Sequence, residues 1–152
     1  MDGEKGAKAL NAARMGRSEV DVSSPDIAAA WARCVSGEAS WIALGYTAKT
    51  TLGLLGSGDG GYKGLRPQLA EDAVVYGAFR VQANGASKLI FVASIGQNAG
   101  AMVKGRATAH TQSIEGALEG TTLGIQLAEP EDYEEAAIME KLGKTLNATV
   151  TL

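Results

Sequence analysis

Ala73-Val74-Val75-Tyr76-Gly77-Ala78-Phe79-Arg80-Val81 and Lys88-Leu89-Ile90-Phe91-Val92-Ala93-Ser94-Ile95 are the two strongest strand signals in this sequence. Both runs are apolar at successive positions instead of alternating, the pattern of central strands covered on both faces. Asn84-Gly85 between them supplies two residues that tolerate positive φ, so an antiparallel hairpin is expected. A sheet with both faces covered requires helices above and below it.

Downstream, Gly96 to Gly100 breaks the strand pattern, and Ile114, Ala117 and Leu118 at helical spacing mark a long helix stopped by Gly120. Thr121 to Leu127 reads as a further strand. A closing helix is expected to open at Pro130-Glu131-Asp132, with acids at its start, Lys141 and Lys144 near its end, and Gly143 fraying it. Upstream, Ser24-Pro25-Asp26 offers a capping hydroxyl, a preset proline and an acid facing the helix dipole. Ile27, Ala30, Trp31, Cys34 and Val35 then form one helical stripe ended by Gly37. Trp41 to Tyr46 and Thr50 to Leu55 read as paired strands, Gly56 to Gly61 as a flexible loop, and Tyr62 to Ala70 as a short helix limited by Gly64 and Pro67. The result is an α/β (α+β) domain with one mixed β-sheet of five to six strands between helices on both faces. Residues 1–20 read as a flexible arm, with a short amphipathic helix over Ala7 to Met15 as the alternative; 21–148 form the domain, and 149–152 a short tail.

The 152 residues suffice for one core, and 45% apolar with 20% charged residues is a globular balance. A net charge of -3 speaks against a nucleic-acid-binding surface. With Cys34 the only cysteine and His110 the only histidine, neither a disulfide framework nor a Cys/His zinc site can be assembled. The longest apolar run, Leu89 to Ile95, is far short of a membrane span, and the first twenty residues hold no secretory apolar block, so a cytoplasmic protein is expected. Asn147-Ala148-Thr149 matches a glycosylation tripeptide that would be inert there.

Gly56, Gly58 and Gly61 satisfy G-x-G-x-x-G after a strand, but Pro67 falls where the nucleotide-binding helix should run, so a plain loop is the better reading. No catalytic constellation surrounds His110, which is expected on an exposed helix face among Thr108, Thr111 and Gln112. The acids Glu129, Glu131, Asp132, Glu134 and Glu135 are explained by a helix start rather than by a metal. Charge is segregated. From Ala73 to Ile114 there is no acid, only Arg80, Lys88, Lys104 and Arg106 with His110, whereas Glu115 to Glu140 holds eight acids and no base. Such segregation concentrates positive potential suited to an acidic partner.

The stretch Tyr76 to Val81, followed by Ser87-Lys88, an apolar strand and Ile95-Gly96-Gln97-Asn98, resembles the coactosins of the ADF/cofilin-homology (ADF-H) family, with Gln97 where those proteins have glutamate. Lys104-Gly105-Arg106 resembles the basic pair that precedes their long helix, at its entrance, Trp41-Ile42 their first strand, and Pro130 to Gly143 their closing helix. The resemblance runs from about Ser24 to Leu146. It implies a non-enzymatic, cofactor-free monomer that binds the side of filamentous actin in the cytoplasm and cytoskeleton, without strong severing or depolymerising action. It also implies that Lys88, Lys104 and Arg106 contact actin; with Lys141 near the end of the closing helix, and with Arg80 and His110 from the acid-free stretch, these are expected to form one contact surface. Gly85, Ala86 and Glu115 stand where family members often carry cations, which weakens the expected affinity. A cofilin-like binder of monomeric actin and a non-actin interaction module are the alternatives; neither nucleic acid nor membrane is an expected partner.

Overall fold

The hairpin organises the molecule. In a computed structural model that describes residues 20–152, β3 (Val74–Ala83) and β4 (Ala86–Ile95) pair antiparallel from Val74 opposite Ile95 to Ala83 opposite Ala86. Asn84 and Gly85 form the turn at φ 51° and 83°, the two positive values that this hairpin type requires. The other side of β3 is taken by β1 (Trp41–Ala48), which pairs antiparallel with β2 (Thr51–Gly58). Gly77 is needed here, because a side-chain carbon on it would meet the Ile42 carbonyl oxygen. β5 (Leu123–Leu127) lies parallel to β4, giving the order β2-β1-β3-β4-β5.

Alternation along β3 and β4 sends side chains into two separate cores. Tyr76, Ala78, Phe91 and Ala93 face α1 (Pro25–Ser36) and α3 (Ala101–Ala117), packing with Ile27, Cys34, Ile114 and Leu118. Val75, Phe79, Ile90 and Val92 face α2 (Gly61–Leu65) and α4 (Glu135–Leu146), packing with Tyr62, Tyr133, Ile138 and Leu142. The mixed sheet between helices is therefore as expected. α1 starts as the sequence implies, with Pro25 in its first turn, Ser24 Oγ accepting from the Asp26 N–H at 3.2 Å, and Gly37 as its C-cap.

Four local expectations are corrected. Gly56 to Gly58 are not loop but the end of β2, and Gly56 and Gly58 lie under the Trp41 ring, whose Nε1–H donates to Asp59 O at 2.8 Å. The following helix has five residues and leads into a strand antiparallel to β1, which is not a dinucleotide fold. Pro130–Tyr133 is a separate 3₁₀ turn, because the Asp132 carboxylate accepts the N–H groups of Ala128 and Glu129 and Glu134 is extended; α4 begins only at Glu135. Gly143 does not fray α4, which runs on to Leu146 before the chain folds back with the Ala148 N–H on Gly143 O. Residues 149–152, read as a tail, contain β6 (Val150–Thr151), which pairs with Gln82 and Ala83 of β3. The proposed helix over Ala7 to Met15 lies outside the described residues.

Candidate functional site

The register of the hairpin fixes where the cations go. Lys88 stands opposite Val81 and on the same strand parity as Ile90 and Val92, so it belongs to the α4 face, at the turn end of β4. The segment after α4 docks on that turn: Asn84 N–H donates to Thr149 O at 2.9 Å, and the Thr149 N–H donates to Asn84 Oδ1 at 2.8 Å. The C-terminal half of α4 therefore ends at the same corner. It carries exposed Lys141, and Lys144 in an i,i+4 pair with Glu140 at 3.2 Å.

Lys104 and Arg106 occupy another place. They lie within the first turns of α3 and not before it, and the Lys104 ammonium donates to Gln97 O at 3.1 Å, just past the far end of β4. Lys88 and Ile95 are seven residue steps apart on β4, roughly 23 Å of sheet at the usual rise, and α3 packs on the face away from α4. The expected single strip is thus two patches, on opposite faces and at opposite ends of the sheet.

Sequence reasoning missed what stands beside the α3 patch. Met102 is 79% exposed and Val103 37% exposed, an apolar first turn flanked by the two cations. The sequence carried only part of the signal, since Met102 lies at i-4 from Arg106 on one helix face; that this face points outward follows from the inward turn of Ala107, His110 and Ile114. This helix start has no side-chain cap and no acid in its first turn, and it places cations where the macrodipole is already positive. Local stability argues against such an arrangement; an anionic partner is served by it. Glu115, by contrast, reaches towards Gly124 on β5, ten residues or about 15 Å along the helix from Gly105.

Two candidates are turned inward. The Arg80 guanidinium donates to Cys34 O at the end of α1 and to Ser87 Oγ, and its Nε is buried with no partner. Arg80 ties β3 to α1. Burial raises the Cys34 thiol to about 11, against the opposing pull of Arg80 and Arg33, so the residue is an uncharged core thiol at neutral pH. His110, expected on an exposed face, is 3% exposed. The cause is polar pairing: Nδ1 lies 2.7 Å from the Tyr46 hydroxyl, which is 3.0 Å from the Tyr76 hydroxyl. Burial, and then nearby Arg106, hold its pKa below the ordinary histidine value.

Among the described residues no His/Cys/Asp/Glu group could hold a metal, and no helix is long and apolar enough to cross a membrane. The arrangement can offer two cationic surfaces, one with an apolar anchor.

Comparison with known proteins agrees with this architecture. The family model for cofilin/tropomyosin-type actin-binding proteins matches residues 19–143. Coactosin of Dictyostelium discoideum is 24% identical over 135 residues, which span 84% of this chain and 92% of that protein. The crystal structure of coactosin from Entamoeba histolytica superposes with a TM-score of 0.73 at 17% identity, covering 86% of this chain and 99% of the other. The cofilin homology domain of a yeast actin-binding protein gives 0.70 at 18% identity, covering 80% and 96%.

Proposed function

The chain belongs to the cofilin/tropomyosin-type actin-binding family, and from that premise we propose that it binds along the side of filamentous actin, as a cytoplasmic, cytoskeleton-associated monomer without strong severing or depolymerising activity. The observation that carries this reading is the separation of the two cationic patches. A body with contacts at opposite ends and faces suits a partner that presents acidic surface repeatedly, as a polymer does and a single globular subunit does not. Binding is stoichiometric recognition, and the family is non-enzymatic.

In this reading Met102 is the anchor of one contact, buried on docking within a rim of Lys104 and Arg106. Apolar anchors at the centre of an interface carry most of its energy, while rim charges set rate and salt dependence. Lys88, with Lys141, forms the other contact. Gly85 and Ala86 leave that hairpin without further cations, so it is the weaker of the two. Arg80 and His110 are turned inward and touch no partner, Arg80 tying β3 to α1.

Co-sedimentation with actin filaments across a salt series is the direct test. Wild-type binding should weaken as salt rises. Met102→Ser combined with Arg106→Ala should lower affinity about tenfold or more, and Lys88→Ala should lower it by a smaller factor. Salt-independent binding that ignores all three changes would remove the reading. Shortening of filaments in microscopy, or preference for monomeric actin, would move it to the cofilin-like alternative.

A further inference from the structure

α3 bears the anchor residues, yet it is poorly gripped. Of its residues only Ala107, His110 and Ile114 are buried, and only Ile114 is a large apolar side chain. Its N-terminal half therefore has little hydrophobic attachment to the sheet. What it has instead is a chain of hydrogen bonds. Tyr76 of β3 donates to Ala107 O at 3.0 Å, Tyr46 of β1 lies 3.0 Å from Tyr76, and His110 of α3 lies 2.7 Å from Tyr46.

Counting protons orients the chain. A carbonyl oxygen can only accept, and Ala107 O takes the Thr111 hydroxyl at 2.8 Å on one side and the Tyr76 hydroxyl on the other, so in this bond Tyr76 commits its one proton to Ala107 O. Tyr46 must then donate to Tyr76, since otherwise two hydroxyl oxygens would face each other at 3.0 Å with no proton between them. Tyr46 has no second proton, so the contact to His110 is filled only by a hydrogen on Nδ1. Each group then donates once, along His110 to Tyr46 to Tyr76 to Ala107, and the chain begins and ends on α3 after crossing two strands.

We propose that His110, as its Nδ1–H tautomer, is a positioning residue: it supplies the first proton of a closed ladder that seats the N-terminal half of α3, and so fixes Met102, Lys104 and Arg106 in their docking geometry. The ladder itself is independent of the partner; its consequence for binding rests on the actin reading above. Ring packing supports the same seat, with Tyr46 edge-on to Tyr76 at 5.9 Å and Tyr76 stacked on Phe91 at 6.4 Å.

A single histidine makes the test direct, because ¹⁵N NMR of histidine-labelled protein reports one imidazole. The free wild-type chain at neutral pH should carry its proton on Nδ1; a proton on Nε2 would overturn the orientation. Three variants then separate positioning from mere filling of space. The amide nitrogen of asparagine falls near the position of Nδ1, and that of glutamine near Nε2. His110→Asn should therefore keep the ladder, while His110→Gln and Tyr46→Phe should lose it. Amide exchange over residues 101–111 should speed up about five- to tenfold in the two broken variants, stay near wild type in His110→Asn, and be unchanged in α4. Filament affinity should follow the same order with Lys104 and Arg106 intact. If Gln behaves as well as Asn, the positioning role is wrong. If the wild type ignores filaments while tautomer and exchange behave as stated, the actin reading fails and the ladder stands.

Discussion

α3 and α4 cover opposite faces of one sheet and are held there by different physics. α4 inserts Ile138 and Leu142 fully into the core, and a turn whose backbone N–H groups are capped by Asp132 leads into it. Neither helix has a side-chain cap, but α3 has two interior glycines, 105 and 116, against the single Gly143 of α4, cations at its positive end and a polar ladder in place of an apolar stripe. Each interior glycine alone costs about 1 kcal/mol relative to alanine. The weakly gripped helix is the one that exposes Met102 beside two cations. In the proposed reading, the surface groups that meet the partner are drawn from the element whose own stability they do not help.

The largest expected effect tests the firm side of that contrast. Leu142→Ala should lower unfolding free energy by about 2–5 kcal/mol, the range for truncating a fully buried leucine, measured by denaturant titration. A loss no greater than that of Tyr46→Phe would erase the distinction between the helices. Next in size is Arg80→Met, which keeps the stem and removes the guanidinium bonds to Cys34 O and Ser87 Oγ. A charge-assisted bond is worth about 1.5–3 kcal/mol, and the methionine also relieves the buried, unpartnered Nε, so the net loss should fall at or below the lower end. Filament binding by the folded variant should match wild type. A large binding defect without destabilisation would put Arg80 back on the contact surface.

The same contrast explains what the sequence could and could not show. β3, β4 and their turn were legible because burial on both faces and the Asn84-Gly85 turn leave local, unambiguous patterns. α1 was legible from Ser24-Pro25 and its stripe. The start of α4 was misplaced because Pro130-Glu131-Asp132 suits a 3₁₀ turn as well as an α-helix, and only the reach of Asp132 back to Ala128 decides between them. β6 was missed because two residues against the end of β3 carry no periodic signal. Arg80 and His110 looked like surface cations for a related reason. Their partners are Cys34 O, Tyr46 and Tyr76, distant in sequence and brought near only by strand register and helix packing. The two-patch layout also follows from the parity and direction of β4, which composition cannot contain.

The smallest expected effect is a pH dependence, and its source is His110 on the weakly held helix. Burial and Arg106 keep folded His110 below its ordinary value of 6.5; Tyr46, which touches the ring, and Arg106 are the titratable groups facing it. The unfolded chain therefore takes up a proton below about pH 6.5 that the folded chain resists. The stability contribution is complete above that value and is lost as pH falls towards the folded pKa. Asp132 does not intrude, because hydrogen bonds from Glu129 and Ala128 and the charge of Lys141 hold its carboxyl below 3.8, so its contribution persists until pH is well below that of histidine. Urea titrations between about pH 7.5 and 5 should show wild type losing stability while His110→Phe loses less. Because the ladder needs Nδ1–H, the proton gained goes to Nε2 and leaves the bond to Tyr46 in place. Acid should therefore lower global stability without selectively speeding amide exchange in the first half of α3. Selective loosening there on acidification would mean that the ring accepts from Tyr46, and the orientation of the whole ladder would have to be reversed.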